Sequence, residues 1–205
     1  MAVNGYIDVV EFREWIDLDD ALDDAVIDQA ITAASRGIDN YCERHFWQTA
    51  AGTARVFDAC DKWTLHIDDL VSIAELATDD GFDGTFGTVW VASDYQLLPL
   101  NPEAAPEPRP FDQIHAVASR AFPQPLTHNT RSGLVRVTGV WGWPAVPEGV
   151  IQACLLVVNR AIKRRTSPEG VAGFDEFGVI RISSRDDPDA VRHLDNYWDP
   201  ASVGV

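Results

Sequence analysis

Hydrophobic and polar positions change period three times along this chain, and each change predicts a different kind of element. Asp8 stands before a short apolar-periodic run and is expected to cap a helix over Val9–Trp15, with Glu11 in its first turn. The acidic stretch Asp17–Asp24 then supplies a loop and the opening of a second helix, over roughly Ala21–Phe46. In that helix Ile27, Ile31, Ala34, Ile38 and Tyr41 recur at intervals of three and four, the signature of a buried face. Gly37 lies within it, costs about 1 kcal/mol relative to Ala, and is expected to leave a vacancy that a neighbouring backbone fills.

The middle of the chain shifts to a period of two. Trp63, Leu65 and Ile67 alternate with Thr64, His66 and Asp68, which predicts a half-buried strand. Further strands are expected over Thr53–Phe57, Val71–Ala77, Thr88–Ala92, Tyr95–Leu98, Gln113–Ala118 and Leu134–Val140. Asp79–Gly87 (DDGFDGTFG) reads as a hairpin loop, and the proline-rich Asn101–Pro110 as an exposed extended loop. Another loop is expected near Phe122–Ser132, and no internal repeat is evident.

The last third returns to helix. After the Trp141-Gly142-Trp143-Pro144 turn, Pro147 and Glu148 suit a first helical turn, and Lys163, Arg164 and Arg165 suit a last one. Between Val150 and Ile162 only Gln152, Asn159 and Arg160 are polar, so this helix reads as hidden on nearly every side, inside a large core or between subunits. Ser167-Pro168 ends it, and Gly170, Gly173 and Gly178 punctuate the segment beyond. A short strand over Val179–Ile182 and a final helix over Asp189–Tyr197 are expected there.

These elements predict an α+β protein. Its parts are N-terminal helices (1–52), an inserted antiparallel β-rich section (53–140), a buried helix completing a small bundle (141–167), and a flexible C-terminal arm with a short helix (168–205). A chain of 205 residues is long enough to bury a substantial core. Its apolar runs fall well short of the roughly 20 residues of a membrane span, and the N-terminal MAVNGYIDVVEF lacks a signal-peptide pattern, so secretion is not expected.

Charge narrows the functional classes. The formal net charge is −16, and the first 159 residues carry 24 acidic and 9 basic side chains. An acidic body disfavours ordinary nucleic-acid binding. It fits either simple solubility or a surface that stays near DNA without adhering to it. The basic triplet Lys163-Arg164-Arg165 fits the negative end of a helix and equally a contact with an acidic partner.

A search for chemistry returns little. His45, His66, His115, His128 and His193 do not pair with one another or with cysteine at metal-ligand spacing. The Asp79/Asp80/Asp83 cluster lacks the glutamate that closes a calcium loop, and Ser183-Ser184 has no nucleophile-elbow context. Cys42 and Cys154 fall in helical patterns as small buried hydrophobes, and Cys60 belongs to no metal motif. No catalytic residue, metal or cofactor is expected. Trp15, Trp47, Trp63, Trp141 and Trp143 read as core or interface anchors. Two rivals are a glycan- or host-binding face using Trp63 and Trp90, and a hydrolase pairing His66 with Asp68 or Asp69.

Two segments carry a family resemblance. The opening YIDVVEFREWIDLDD, continued by DDAVIDQAITAASRGIDNYCERHFW, resembles that of tailed-phage head-to-tail connector (adaptor, or head-completion) proteins. LVRVTGVWGWPAVPEGVIQACLLVVNRAIKRRTSPEGVAGFDEFGVIRIS resembles that family's strand, Trp-Gly turn, helix and C-terminal arm. Together they span about half of the chain, and their order and spacing carry the likeness. The resemblance implies a structural virion protein, made in the host cytoplasm, that forms a ring, usually a dodecamer in that family, between portal and tail or stopper. DNA would pass through its channel without specific binding, and no membrane is involved. Another neck or tail-completion protein is the nearest alternative. The resemblance implies subunit or portal contacts at Trp141, Trp143, Lys163, Arg164, Arg165, Phe174, Phe177, Arg181, Arg185, Tyr197 and Trp198. With the portal contact placed in Gly170–Trp198, deleting residues 171–205 is expected to abolish incorporation into heads and to leave a folded protein.

Overall fold

The computed structural model describes residues 3–16, 23–124, 132–166, 171–175, 178–181 and 187–198. They form two compact units: residues 1–46 with 146–205, and residues 47–145. The first is helical and the second is an antiparallel sheet, which makes the protein α+β.

The helical unit begins with α1 (Val9–Ile16). Its start is a reciprocal box: the Asp8 carboxylate accepts from the Glu11 amide at 2.8 Å, and the Glu11 carboxylate accepts from the Asp8 amide at 2.7 Å. Helix α2 (Asp24–Cys42) starts at Asp23, whose side chain accepts from the Ala25 amide, and stops where Glu43 turns left-handed. Those caps make it shorter at both ends than its apolar period implied. Ile27, Ile31, Ala34, Ile38 and Cys42 are buried along one face, and Phe12 of α1 is fully buried. Tyr41 falls outside that buried set and is exposed, contrary to its place in the period.

Tyr6 ties the N-terminal segment to α2. Its amide donates to the Ser35 hydroxyl, its phenol donates to Asp39, and the phenol oxygen accepts from the Phe46 amide at 3.0 Å. Burial, then the Asp39 hydrogen bond, push the Tyr6 phenol above its ordinary value. A phenol that ionises near 10 when unfolded but stays protonated when folded adds stability that is lost as pH rises through that value. Tyr6→Phe is therefore expected to cost about 1–3 kcal/mol near neutral pH. It should also flatten the alkaline loss of stability, which denaturant titrations between about pH 8 and pH 11 will read.

Helix α3 (Glu148–Thr166) packs on α2, and α4 (Pro188–Leu194) packs on α3. Asp187 caps α4 through the Asp189 amide and lies 3.6 Å from Arg160 of α3. A 3-10 turn, Asp195–Tyr197, comes next, and Tyr197 meets Phe46 edge-on at 5.7 Å. Helix α3 is not hidden on every side within one chain. Val150, Ala153, Cys154, Leu155, Val158 and Ile162 are buried, whereas Ile151, Leu156 and Val157 stay half-buried.

The sheet unit has strands β1 (Thr53–Phe57), β2 (Thr64–Thr78), β3 (Thr88–Trp90), β4 (Tyr95–Leu98), β5 (Phe111–Ala116) and β6 (Val135–Trp141). Their order is β1-β6-β2-β5-β4, with β3 on β2, and every pairing is antiparallel. The two strands expected over Trp63–Asp68 and Val71–Ala77 are one long strand, β2. Its register shifts between His66 and Leu70 absorb the break in alternation at Asp68-Asp69. Leu65, Leu70, Leu76, Ile114, Val135, Val137 and Trp141 form the centre of its core.

Within the C-terminal region, β7 (Val171–Asp175) pairs with β8 (Gly178–Arg181) in a two-stranded sheet. The expected strand near Val179 is β8; β7 was not expected. The loop expected over Phe122–Ser132 and the Ser167-Pro168 helix stop lie largely outside the described residues.

Candidate functional site

The Trp-Gly-Trp turn is built by backbone geometry that only glycine fits at its centre. Gly142 has φ +111°, and the Trp47 carbonyl occupies the place a Cβ would take. Its amide donates to the Asp69 carbonyl at 2.8 Å. The Trp141 amide donates to the Thr49 hydroxyl, and the Thr49 amide donates back to the Trp141 carbonyl. Gln48 donates to the carbonyls of Trp143 and Pro144.

Both tryptophans of this turn are interior residues of the sheet unit. Trp141 is fully buried, its indole N–H donates to the Thr53 carbonyl at 2.8 Å, and the Arg55 guanidinium lies 4.6 Å over its ring. Trp143 is almost fully buried, and its indole N–H donates to the Asp69 carboxylate at 2.9 Å. The bulge in β2 is what turns Asp69 inward to receive it. These rings brace the turn from inside.

The other sequence-predicted contacts fall in the helical unit. Lys163, Arg164 and Arg165 are exposed in the last turn of α3. Phe174 and Arg181 lie on β7 and β8, where Phe174 pairs with Val179 and Arg181 with Val171 across the ladder. Phe177 and Arg185 lie outside the described residues. Tyr197 is spent on Phe46, whereas Trp198 is 48% exposed. Tyr41, close to Trp198, donates to Asp195 at 3.0 Å. Among the described residues these positions fall on a basic helix end, a two-stranded hairpin and the partly exposed Tyr41 and Trp198.

Two features outside that set of contact residues also stand out. Val10 and Trp15 project from α1, 62% and 40% exposed. The vacancy at Gly37 is not filled by a neighbouring backbone: a Cβ there would meet nothing within 4 Å. The signal for both was present in the sequence, but a helical period alone does not say which apolar positions are left over.

The chemical rivals find little geometry. His66 and Asp68 are exposed on β2, and Asp68 is held by Arg55 at 2.5 Å. Asp69 is committed to Trp143. Trp90 is buried, stacks on Phe122 at 4.8 Å and donates to Thr78, so it is not a ring a glycan can reach. Asp79, also buried, accepts from the amides of Asp83 and Gly84 and so shapes its own loop. Among the described residues, no group of three or more His, Cys, Asp or Glu side chains is placed to hold a metal ion. Burial pushes the Cys42 thiol up to about 12 and the Cys154 thiol up to about 11, values unsuited to a nucleophile at neutral pH. Among the described residues, no helix is long and apolar enough to cross a membrane.

No family model matches the chain, and no curated protein matches it in sequence. Solved structures do match its fold. A chain in the neck of a native gene transfer agent (GTA) particle, computed with C12 symmetry, has a TM-score of 0.54 at 19% identity, covering 96% of this chain and 91% of that one. A chain in the neck of the empty GTA particle, computed with C6 symmetry, has a TM-score of 0.54 at 17% identity over the same shares. A chain in the virion of the native GTA particle has a TM-score of 0.51 at 19% identity, covering 97% of this chain and 91% of that one. The fold is thus shared, nearly end to end, with chains of a phage-like particle.

Proposed function

We propose that this chain is a structural subunit of the neck of a tailed-phage or phage-like particle. In that reading its copies form a ring between portal and tail or stopper, extend the DNA channel and join head to tail. The observation that carries the reading is the fold held in common with GTA neck chains over nearly the whole length of both. A twelvefold ring fits the C12 symmetry of one of those necks. The acidic body supports it, because a channel wall that repels phosphates lets DNA slide past. The chain acts through contacts, without a catalytic step or a cofactor.

The portal contact falls to the arm and the basic end of α3. Lys163, Arg164 and Arg165 would meet acidic portal surface, and the region carrying Phe174, Phe177, Arg181 and Arg185 would lie against it, with Trp198 beside it. Trp141, Trp143 and Tyr197 hold the subunit in shape. The test is mass measurement by light scattering of the chain alone and mixed with the portal of its own particle. A ring-sized complex with wild type, lost in Arg164→Glu/Arg165→Glu, supports the reading. A chain that never joins the portal contradicts it.

A further inference from the structure

The chain leaves α4 through the 3-10 turn Asp195–Tyr197, with Trp198 as its C-cap. Residues three apart on such a turn stand nearly in line, so Asp195 and Trp198 share one side of it and Tyr197 takes another. Tyr197 points inward. Its ring meets Phe46 edge-on and comes so close to Gly149 that a Cβ there would lie 2.9 Å from it. That anchor leaves Asp195 and Trp198 facing solvent.

Beside them stands Tyr41, the member of the α2 apolar period that is not buried. Its phenol donates to Asp195 Oδ1 at 3.0 Å. Among the described residues, Tyr41, Asp195 and Trp198 line a notch of about 320 Å³.

Two aromatic rings and a carboxylate around one opening suit a planar cation. The faces of Trp and Tyr attract a guanidinium that lies within about 6 Å of the ring centre. The carboxylate adds a charge-assisted hydrogen bond, and its Oδ2 is left for one, since the phenol takes Oδ1. Asp195 also lacks the cation that other carboxylates of this chain hold. Asp24, Asp68, Glu75, Asp94 and Asp187 each pair with an arginine. Among the described residues, no lysine or arginine pairs with Asp195. Lysine would bring the same charge, but a guanidinium is flat, stacks on ring faces and is more weakly hydrated, so a ring-lined notch favours arginine.

We infer that the Tyr41/Asp195/Trp198 notch receives an arginine side chain of a partner protein. The identity of the partner rests on the neck reading above, in which Trp198 lies beside the portal: the portal then supplies the arginine. A chain with a net charge of −16 favours a cationic contact of this kind.

The full chain labelled with fluorotryptophan is titrated with N-acetyl-L-arginine N-methylamide. Fluorine NMR follows Trp198, assigned by the signal that Trp198→Phe loses. That signal should shift and saturate over about 1–100 mM probe, as a single weak contact does. The citrulline counterpart, flat but uncharged, should bind about fivefold more weakly. Asp195→Asn keeps an acceptor for the Tyr41 phenol, so it should melt near wild type and weaken the arginine probe by a similar factor. No shift, or equal binding of the arginine and citrulline probes, overturns the inference and leaves the neck reading untouched. Mixed with portal, Trp198→Ala should form the complex about tenfold more weakly than wild type. If it joins the portal as wild type does, the portal is not the partner of the notch. An arginine-specific shift in a chain that never joins the portal removes the neck reading and leaves the notch standing as an arginine site.

Discussion

Trp141→Ala should lower the stability of the isolated chain by about 3–5 kcal/mol, among the largest losses a single truncation gives. The indole is fully buried in the sheet core, packs beside Phe57 at 5.5 Å and lies under Arg55. Removing it opens a cavity and leaves the Thr53 carbonyl without its 2.8 Å donor. The turn that holds Gly142 against Trp47 loses its anchor at the same time. Denaturant melts of the monomer will show the loss without any partner present. The resemblance made Trp141 a contact residue, for which the monomer would melt normally and only assembly would suffer. The two roles predict opposite results in one experiment.

Ending the chain at Thr166 should cost the helical unit on the order of 3–5 kcal/mol, because α4 is part of its core. Ala190 and Leu194 are buried, Arg160 pairs with Asp187, and Tyr197 covers Phe46. Deleting residues 171–205 would strip the same elements, so that deletion is expected to cost stability as well as incorporation into heads, in place of leaving an intact fold. Leu194→Ala alone should cost about 2–4 kcal/mol. Replacing residues 167–186 by a Gly/Ser linker should instead keep α4 seated and the melt near wild type. A normal melt from the truncated chain would show that α4 is dispensable for folding.

What the sequence made legible was local. The Asp8/Glu11 box, the alternation in β1 and β4, and the Pro147-Glu148 start of α3 are decided by neighbours a few residues away, so their elements fell close to where the pattern put them. What stayed hidden depends on distant partners. Asp68-Asp69 looked like a break between strands, because nothing nearby announces that Asp69 turns inward to Trp143. Trp90 looked available until Phe122, far along the chain, stacked on it. Strand β7 is a glycine-interrupted VAGFD with no alternation and exists through its pairing with β8. The composition of α3 suggested burial all round, but a single chain covers only one face of it.

The most direct measurement is a reconstruction of the neck from particles made by cells that express this chain, without assuming its presence. The account predicts a closed ring of this polypeptide between portal and tail. A complete, infectious or gene-transferring particle whose neck contains no copy of the chain would contradict it.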